Sequence, residues 1–260
     1  MRRTVIVPGI LIISVILTIL PGLIPQTTDP RYQFESFVKY TYTPSIPDEF
    51  LDIYDAGARK QYLLTILLPM VLKTNAEVES ERRSIERIKS TWLWLSRREE
   101  LFLEQLAGKY KVETGDYDAM IEDLLVKVDV LPPSLILAQA AIESGWGTSR
   151  FAVDGNNLFG LRTPSGEGMV PRQQGEGMVF RVSRFEDLQS NIDYYLWNIN
   201  THHKYEELRG IRSGSAYPYD PVELAGGLRH YSEMGDEYVE KLVRIIEYNN
   251  LKDYDGYGLE

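Results

Sequence analysis

The chain has 260 residues, which is enough to bury a sizeable core without disulfide bonds and more than the roughly 150 residues of a common domain. Its net charge of −10 argues against binding that depends on nucleic-acid phosphates. The absence of cysteine excludes cysteine nucleophiles, thiolate zinc sites, iron–sulfur clusters and disulfide scaffolds. We therefore expect one main globular domain with an extension, and no nucleic-acid partner.

The first 28 residues have the composition of a membrane-directed segment. Val5 to Ile24 is a mostly apolar stretch of 20 residues behind Arg2 and Arg3, and a helix of that length spans the roughly 30 Å of a bilayer's hydrocarbon core. Two interpretations are open, a retained signal-anchor and a cleaved signal peptide. The anchor is favoured because no small-x-small cleavage site follows Leu20. Both predict that the remaining chain works outside the cytoplasm.

Proline spacing and hydrophobic periodicity divide residues 29–112 into two predicted segments. Four prolines between positions 25 and 47 predict an extended spacer over residues 29–58. The apolar run over residues 63–72 is too short to cross a membrane and contains Pro69, so we expect a packed helix there. A mixed-charge run and an amphipathic pattern from Trp92 to Gly108 continue the helical character. Together these features predict a helical extension over residues 59–112.

The second half predicts a mainly helical domain over residues 113–252, followed by a short tail over residues 253–260. Pro132-Pro133 opens a helix that ends before Gly145. Asp220-Pro221 is a typical helix start. The final helix is predicted from an apolar stripe formed by Val239, Leu242, Val243 and Ile246.

A small β lobe is predicted inside this helical domain. Five glycines between positions 160 and 177, with short β-type pieces between them and a strand over residues 178–182, are typical of an antiparallel hairpin. The capping-box pattern Ser183-x-x-Glu186 predicts the start of the next helix. The fold class is therefore α+β, mainly helical.

The helix after Pro133 carries two polar residues, Gln139 and Glu143, in an otherwise apolar run. They lie four residues apart and so share one face of the helix. A carboxylate on a buried helix is costly unless it is paired, protonated or open to a cleft, and the helix C-terminus disfavours negative charge. Both effects raise the pKa of Glu143, as a carboxylic general acid requires. The alternative is a glutamate satisfied by backbone N–H groups or by Arg150.

The surrounding motifs resemble a known family. AQAAIESGWGTSRFA followed by GNNLFGLR resembles the glucosaminidase domain of bacterial peptidoglycan hydrolases, glycoside hydrolase family 73. LLPMVLKTNAEVESER, LPPSLILAQAA, INTHHKYEELR and LAGGLRHYSEMGDEYVEKLVRII are similar to its Bax-type branch. The resemblance covers roughly residues 50–252. It implies a lysozyme-like fold and cleavage of β-1,4-linked N-acetylglucosaminyl bonds in peptidoglycan, without a metal or a cofactor.

The resemblance also implies roles for individual residues. Glu143 matches the family's catalytic acid, and Tyr231 matches a tyrosine that lines its active site. For the second carboxylate we prefer Glu176, which precedes the predicted strand, over Glu167. The expected substrate-binding residues are Gln139, Trp146, Asn156, Asn157, Phe159 and Tyr238. For Trp146 two interpretations are open, a stacking wall for a sugar ring and a plug in the core.

Three functions are carried forward. The first is hydrolysis by Glu143, either with inversion through a water positioned by Glu176 or Tyr231, or with retention through the substrate's own N-acetyl group. The second is a muramidase or lytic transglycosylase on the same glycan, and the third is a non-catalytic, membrane-tethered glycan-binding scaffold. The expected protein is a monomer on the inner membrane facing the periplasm, or in the periplasm if the N-terminal segment is cleaved. His202, His203 and His230 do not have metal-ligand spacing.

Overall fold

The computed structural model describes residues 36–91, 94–163, 168–171 and 180–259. These parts form a mainly helical protein with two small sheets. The helices are α1 (Ala56–Ser90), α2 (Arg97–Tyr110), α3 (Tyr117–Lys127), α4 (Pro133–Glu143), α5 (Arg150–Gly155), α6 (Leu188–Thr201), α7 (Glu206–Gly214), α8 (Pro221–Ala225) and α9 (Asp236–Tyr248). The strands are β1 (Ser36–Val38), β2 (Arg162–Thr163), β3 (Arg181–Val182) and β4 (Tyr257–Leu259). The predicted α+β, mainly helical class is confirmed.

The packed helix predicted around Pro69 is the middle of α1. The helix begins where the side chain of Asp55 accepts a hydrogen bond from the backbone N–H of Ala58, and it continues through Pro69. Its apolar middle is buried because it packs against α4 and α6. The helix therefore shares one hydrophobic core with the second half of the chain.

Within the described residues, no helix has both the length and the apolar character needed to cross a membrane. The predicted signal-anchor over residues 1–28 lies outside them.

The amphipathic pattern predicted from Trp92 onwards begins too early. A new helix, α2, begins after Ser96, whose side chain accepts from the backbone N–H of Glu99 while the Glu99 carboxylate accepts from the backbone N–H of Ser96. This reciprocal capping box satisfies two N–H groups that a continuous helix would have paired internally. Trp92 and Leu93 lie outside the described residues.

The predicted hairpin is present as β2 and β3, which pair antiparallel, with Met169 bridging to Val182. Of the strand predicted over residues 178–182, the described part holds Arg181 and Val182 in a strand. The predicted capping box at Ser183 is wrong, because its backbone N–H still pairs with the Leu161 carbonyl beside the hairpin. The cap of α6 is Asp187, whose side chain accepts from the backbone N–H of Ser190.

The second sheet joins the two ends of the described chain. Strand β1 pairs in parallel with β4, with Ser36 opposite Tyr257. The described parts of the predicted spacer and of the predicted tail are therefore attached to each other.

Helix α4 is the centre of the molecule. It begins at Pro133 and ends at Glu143, as the sequence predicts, and contacts α1, α8 and α9. Its residues from 133 to 141 are all buried. Because the helix is enclosed almost to its end, Glu143 is its first polar side chain that is not fully buried.

Candidate active site

Glu143 opens onto a long groove on the surface of the molecule. Three stretches of chain line this groove with Glu143: residues 159–162 before and within β2, residues of α6 and the turn after it from 194 to 205, and residues 229–235 before α9. The groove has a volume of about 1190 Å³, above the range of about 300–1,000 Å³ of typical small-molecule pockets. Its size and open shape are suited to a polymer.

The carboxyl of Glu143 is half-buried, and its environment raises its pKa above the ordinary value for a glutamate. Burial is the main cause, because it disfavours the charged form. A hydrogen bond from the Tyr238 hydroxyl and the positive charge of Lys241 act in the opposite direction without cancelling it. A glutamate that keeps its proton to higher pH is suited to general acid catalysis. The rise predicted from the sequence is confirmed, and burial is its cause.

A chain of hydrogen bonds lies in the core behind Glu143. The Tyr238 hydroxyl accepts from the side-chain amide of Gln139 at 3.1 Å. The carbonyl oxygen of Gln139 in turn accepts from the Tyr195 hydroxyl. Gln139 and Glu143 do share one face of α4, as their spacing predicts. Gln139 is 0% exposed, so its place behind Glu143 corrects the expectation that it contacts substrate.

Arg150 does not fill the place of a partner for Glu143. Its guanidinium donates to the backbone carbonyl of Val170 instead.

Gly160 lies directly beside Glu143. A Cβ placed on Gly160 would lie 3.8 Å from Oε2 of Glu143, and its backbone has a φ of +65°, a region that glycine adopts readily and other residues avoid. Glycine at this position therefore keeps the approach to the carboxyl open.

Aromatic rings form the wall around the carboxyl. The ring of Phe159 stacks on Tyr195 with 3.9 Å between centroids, and Tyr231 stacks almost parallel on Tyr238 at 5.5 Å. The Tyr231 hydroxyl donates to the backbone carbonyl of Phe159 at 2.8 Å. This bond ties the segment before α9 to the loop before β2. Phe159 and Tyr231 line the groove and Tyr238 does not, although Phe159 and Tyr238 are equally buried.

The two asparagines of the NNLFG motif hold the loop that carries Phe159. Asn156 has a left-handed backbone at the end of α5, and its amide donates to the carbonyls of Phe185 and Glu186. The side chain of Asn157 accepts from the N–H of Leu161 and donates to the carbonyl of the same residue. Neither asparagine is among the residues that line the groove around Glu143. Their contacts support the loop, and their direct contact with substrate stays a prediction.

Trp146 lies away from the groove. The ammonium group of Lys60 on α1 sits 4.5 Å from the centre of its ring, and the half-buried ring packs against the hydrophobic core. The ring is not among those that line the groove around Glu143. Of the two interpretations open from the sequence, the structure favours packing over sugar stacking.

The second carboxylate is not located by the structure, because Glu176 and Glu167 both lie outside the described residues. Within the described part, Glu233 is a further carboxylate on the groove, and it is exposed. The described residues contain no cluster of three or more His, Asp or Glu side chains suited to a metal ion.

The sequence analysis missed several groove and support residues. Tyr195 lies among the apolar residues of α6, where an aromatic residue indicates only core packing. Arg162, Lys204 and Arg229 bring positive charge to the groove, but in the sequence they look like ordinary surface residues. The final glycine of NNLFG was the one available signal for Gly160.

A helix-borne carboxyl with a raised pKa, set in an open groove with aromatic walls, defines the type of site found in glycoside hydrolases. A family model described as mannosyl-glycoprotein endo-beta-N-acetylglucosaminidase matches residues 119–251. This is about half of the chain and includes Glu143, the groove and the buried tyrosines. The chain belongs to this glucosaminidase family and carries a glycoside hydrolase domain.

Three relatives place the chain within its family. Protein bax of Escherichia coli (strain K12) is 31% identical over 211 residues, 79% of this chain and 74% of the relative. Exo-glucosaminidase LytG of Bacillus subtilis (strain 168) is 23% identical over 214 residues, 74% of this chain and 62% of the relative. A probable N-acetylmuramidase of Lactococcus lactis subsp. cremoris is 28% identical over 180 residues, 62% of this chain and 40% of the relative. The first match agrees with the predicted Bax-type resemblance.

Proposed function

We propose that the chain hydrolyses β-1,4-N-acetylglucosaminyl bonds in the glycan strands of peptidoglycan, with Glu143 as the general acid. The position of Glu143 carries this proposal: its carboxyl opens onto a polymer-sized groove, and burial raises its pKa. In the reaction, the proton of Glu143 passes to the glycosidic oxygen as the bond to the anomeric carbon breaks. An oxocarbenium-like centre forms on the departing sugar. Proton transfer of this kind contributes about 10²–10⁴-fold to the rate.

Tyr231 has the geometry to orient the substrate's acetamido group. Its hydroxyl proton is committed to the Phe159 carbonyl, so its lone pairs are left to accept a hydrogen bond. An acetamido N–H bound there would direct its carbonyl oxygen to the anomeric carbon and give retention of configuration. In the inverting alternative, a water activated by Glu176 attacks, and the two carboxyl groups should lie about 6.5–9.5 Å apart. NMR of the first product formed distinguishes the two, because early β-anomer contradicts inversion.

The charges along the groove favour a glycan with anionic substituents. Arg162, Lys204 and Arg229 line it beside Glu143 and Glu233, which is three cations to two carboxylates although the whole chain carries −10. Of the three cations, Arg229 also pairs with Glu207 at 3.4 Å. Peptide stems on peptidoglycan carry carboxylates, whereas chitin chains are neutral. We therefore expect strands that still bear their stems to be the better substrate.

Mass spectrometry of digested peptidoglycan tests the proposal. Products with N-acetylglucosamine at the reducing end are expected, and Glu143→Gln should lower kcat by about 10²–10⁴-fold while the protein stays folded. Reducing-end muramic acid would instead support a muramidase, the activity in the printed name of one relative. Anhydro-muramyl ends would support a lytic transglycosylase. Binding of glycan without any cleavage would support the scaffold.

We also propose that the protein is exported and held on the periplasmic face of the inner membrane, as a monomer. The apolar run over residues 5–24 behind two arginines supports the export. Fractionation of cells with protease added to spheroplasts tests it: the protein should stay with membranes and be digested from outside. Release in soluble form would indicate a cleaved signal peptide. Light scattering of detergent-solubilised protein gives the oligomeric state.

A further inference from the structure

A second depression lies on the surface away from the groove of Glu143. Its volume is about 410 Å³, within the range of about 300–1,000 Å³ of typical small-molecule pockets. Residues of α1, among them Lys60 and Gln61, form one side, and Tyr248, Asn249 and Asn250 at the end of α9 form the other. None of the described residues lines both this depression and the groove. It is named the Tyr248 depression below.

The side chains of the Tyr248 depression are of the types that recognise a sugar with an acidic substituent. Tyr248 is 81% exposed, so its ring is open to stacking by the apolar face of a sugar. Gln61 and Asn250 are exposed, and their amides can donate and accept hydrogen bonds with hydroxyl and acetamido groups. Among the described residues that line the depression, Lys60 is the only one with a charge. An aromatic ring, amides and a cation thus lie side by side.

The ammonium group of Lys60 is held in place without being neutralised. It lies 4.5 Å from the centre of the Trp146 ring and 5.9 Å from the centre of the Tyr248 ring, distances at which a ring attracts a cation. It also donates to Oδ1 of Asn249 at 3.5 Å. No carboxylate of the described residues forms an ion pair with it. Because two rings and an amide oxygen fix the charge, it is available to an anionic group of a ligand.

The backbone of Trp146 is strained, and the strain supports this arrangement. Its φ is +56°, in a left-handed region that bulky residues avoid. Two hydrogen bonds hold the turn: the N–H of Trp146 donates to the Ala141 carbonyl at 2.7 Å, and the N–H of Gly147 donates to the Ser144 hydroxyl at 2.8 Å. The turn places the Trp146 ring against Lys60. Backbone strain that the surroundings enforce is typical of functional sites.

We propose that the Tyr248 depression is a second binding site for the glycan strand of peptidoglycan, where a sugar ring stacks on Tyr248 and Lys60 binds a carboxylate of the strand. The choice of ligand rests on the proposed function. Tyr238 and Tyr248 lie ten residues apart on α9, about 15 Å along the helix axis, and Tyr238 stacks on Tyr231 of the groove. A polymer can span this distance and a single sugar cannot. The second site therefore favours long strands.

Sedimentation with isolated peptidoglycan sacculi tests the proposal, in full chains that also carry Glu143→Gln so that the polymer stays intact. Tyr248→Ala and Lys60→Met should each raise the Kd by about 3–10-fold, the scale of one ring contact or one exposed ion pair. Lys60→Arg keeps the charge and should bind like the Glu143→Gln parent. Trp94→Ala and Lys39→Met are the matched controls, because both residues are exposed and neither lines the depression.

Sacculi whose carboxylates have been converted to amides separate the two contacts. The effect of Lys60→Met should vanish on this polymer, because a neutral strand offers no anion to the ammonium group. The effect of Tyr248→Ala should persist, because the sugar rings are unchanged.

Two results would overturn the inference. One is binding by Tyr248→Ala and Lys60→Met that is as tight as that of the two controls, which would leave the proposed function intact. The other is an equal loss in Lys60→Met on native and amidated sacculi, because the lysine would then act through the fold and not through its charge. Cleavage of sacculi by the Glu143→Gln parent would count against the proposed function instead, and the comparison of binding would still decide on the second site.

Discussion

Asp255 caps the helix that carries Glu143. Its carboxylate accepts hydrogen bonds from the backbone N–H of Ser134 at 2.8 Å and from the Ser134 hydroxyl at 2.7 Å. Helix α4 has no side-chain cap of its own, because its N-cap residue is Pro132. The cap comes from 121 residues further along the chain. Residues predicted as a C-terminal tail therefore hold the start of the helix that carries Glu143.

Removing this cap should destabilise the protein. Asp255→Ala is expected to lower the free energy of unfolding by about 0.5–2 kcal/mol, the usual range for the loss of a helix cap. Urea titration followed by circular dichroism measures the change. Asp253→Ala is the control, because Asp253 is exposed two residues away. Equal stability of the two variants would show that the cap contributes nothing.

The same carboxylate should give a pH dependence of stability. Burial raises the pKa of Asp255 to about 6, above its value in the unfolded chain. The native state therefore binds more protons than the unfolded state between about pH 4 and pH 6, and stability falls as the pH rises through this window. Asp255→Asn keeps an acceptor for the Ser134 N–H but cannot ionise. The wild-type protein should lose stability relative to this variant between pH 4 and pH 6.5, and a constant difference would contradict the assignment.

Glu143 should cost stability at neutral pH. Since its pKa is higher in the native state than in the unfolded chain, the native state is favoured when the carboxyl is protonated. Glu143→Gln should raise the midpoint of thermal unfolding at pH 7, and the gain should shrink towards pH 4. Differential scanning calorimetry measures both. Glu237→Gln on exposed α9 surface is the control and should show no such trend.

Replacing Gly160 by any residue with a side chain should lower activity. Gly160→Ala forces a residue with a Cβ into a left-handed conformation at a cost of about 1–2 kcal/mol, and it places a methyl group next to the Glu143 carboxyl. The strain lowers the free energy of unfolding, and the methyl group separately crowds the glycan at the carboxyl. We expect kcat/KM to fall by about tenfold, the equivalent of about 1.4 kcal/mol of transition-state stabilisation. Gly108→Ala is the control, because a Cβ there meets nothing within 4 Å. Loss of activity in both would point to a general effect on folding.

Charge on the groove should determine the preference between glycans. Lys204→Glu and Arg162→Glu are expected to raise KM for stem-bearing peptidoglycan strands, and more so at low salt, because added salt screens exposed charges. KM for neutral chitin oligosaccharides should change little. Arg98→Glu on exposed α2 surface is the control. Equal effects on both substrates would mean that the cations do not recognise the stems.

The sequence was informative where one residue broke a strong pattern. Glu143 could be selected because a carboxylate at the end of an apolar helix requires an explanation, and the family motif gave one. Helices α4, α8 and α9 could be placed because prolines and apolar spacing mark them locally. Each of these features is determined by a few residues that are close together in the sequence.

The residues that were misassigned depend on contacts between distant parts of the chain. Asn157 belongs to the right loop, but only the folded loop shows that its amide bonds to Leu161. Trp146 has a glycine on each side in the sequence, yet the ammonium group of Lys60 from α1 lies against its ring. Asp255 carries no local sign that it will meet Ser134. Such pairings depend on tertiary packing, which cannot be predicted from the spacing of residues or from the composition of the chain.

The polar residues buried behind Glu143 and the charged residues that line the groove lie on different elements of the fold. Gln139, Tyr195 and Tyr238 are buried residues of α4, α6 and α9, whereas Arg162 lies in the short strand β2 and Lys204 and Arg229 lie between the α-helices. Changes on those segments need not disturb the acid, because no buried partner has to move with them. A glycoside hydrolase domain built in this way can exchange one sugar polymer for another over evolutionary time while Glu143 and the residues behind it stay in place. Because of this separation, the segments that carry Arg162, Lys204 and Arg229 are the place at which to engineer a different glycan preference.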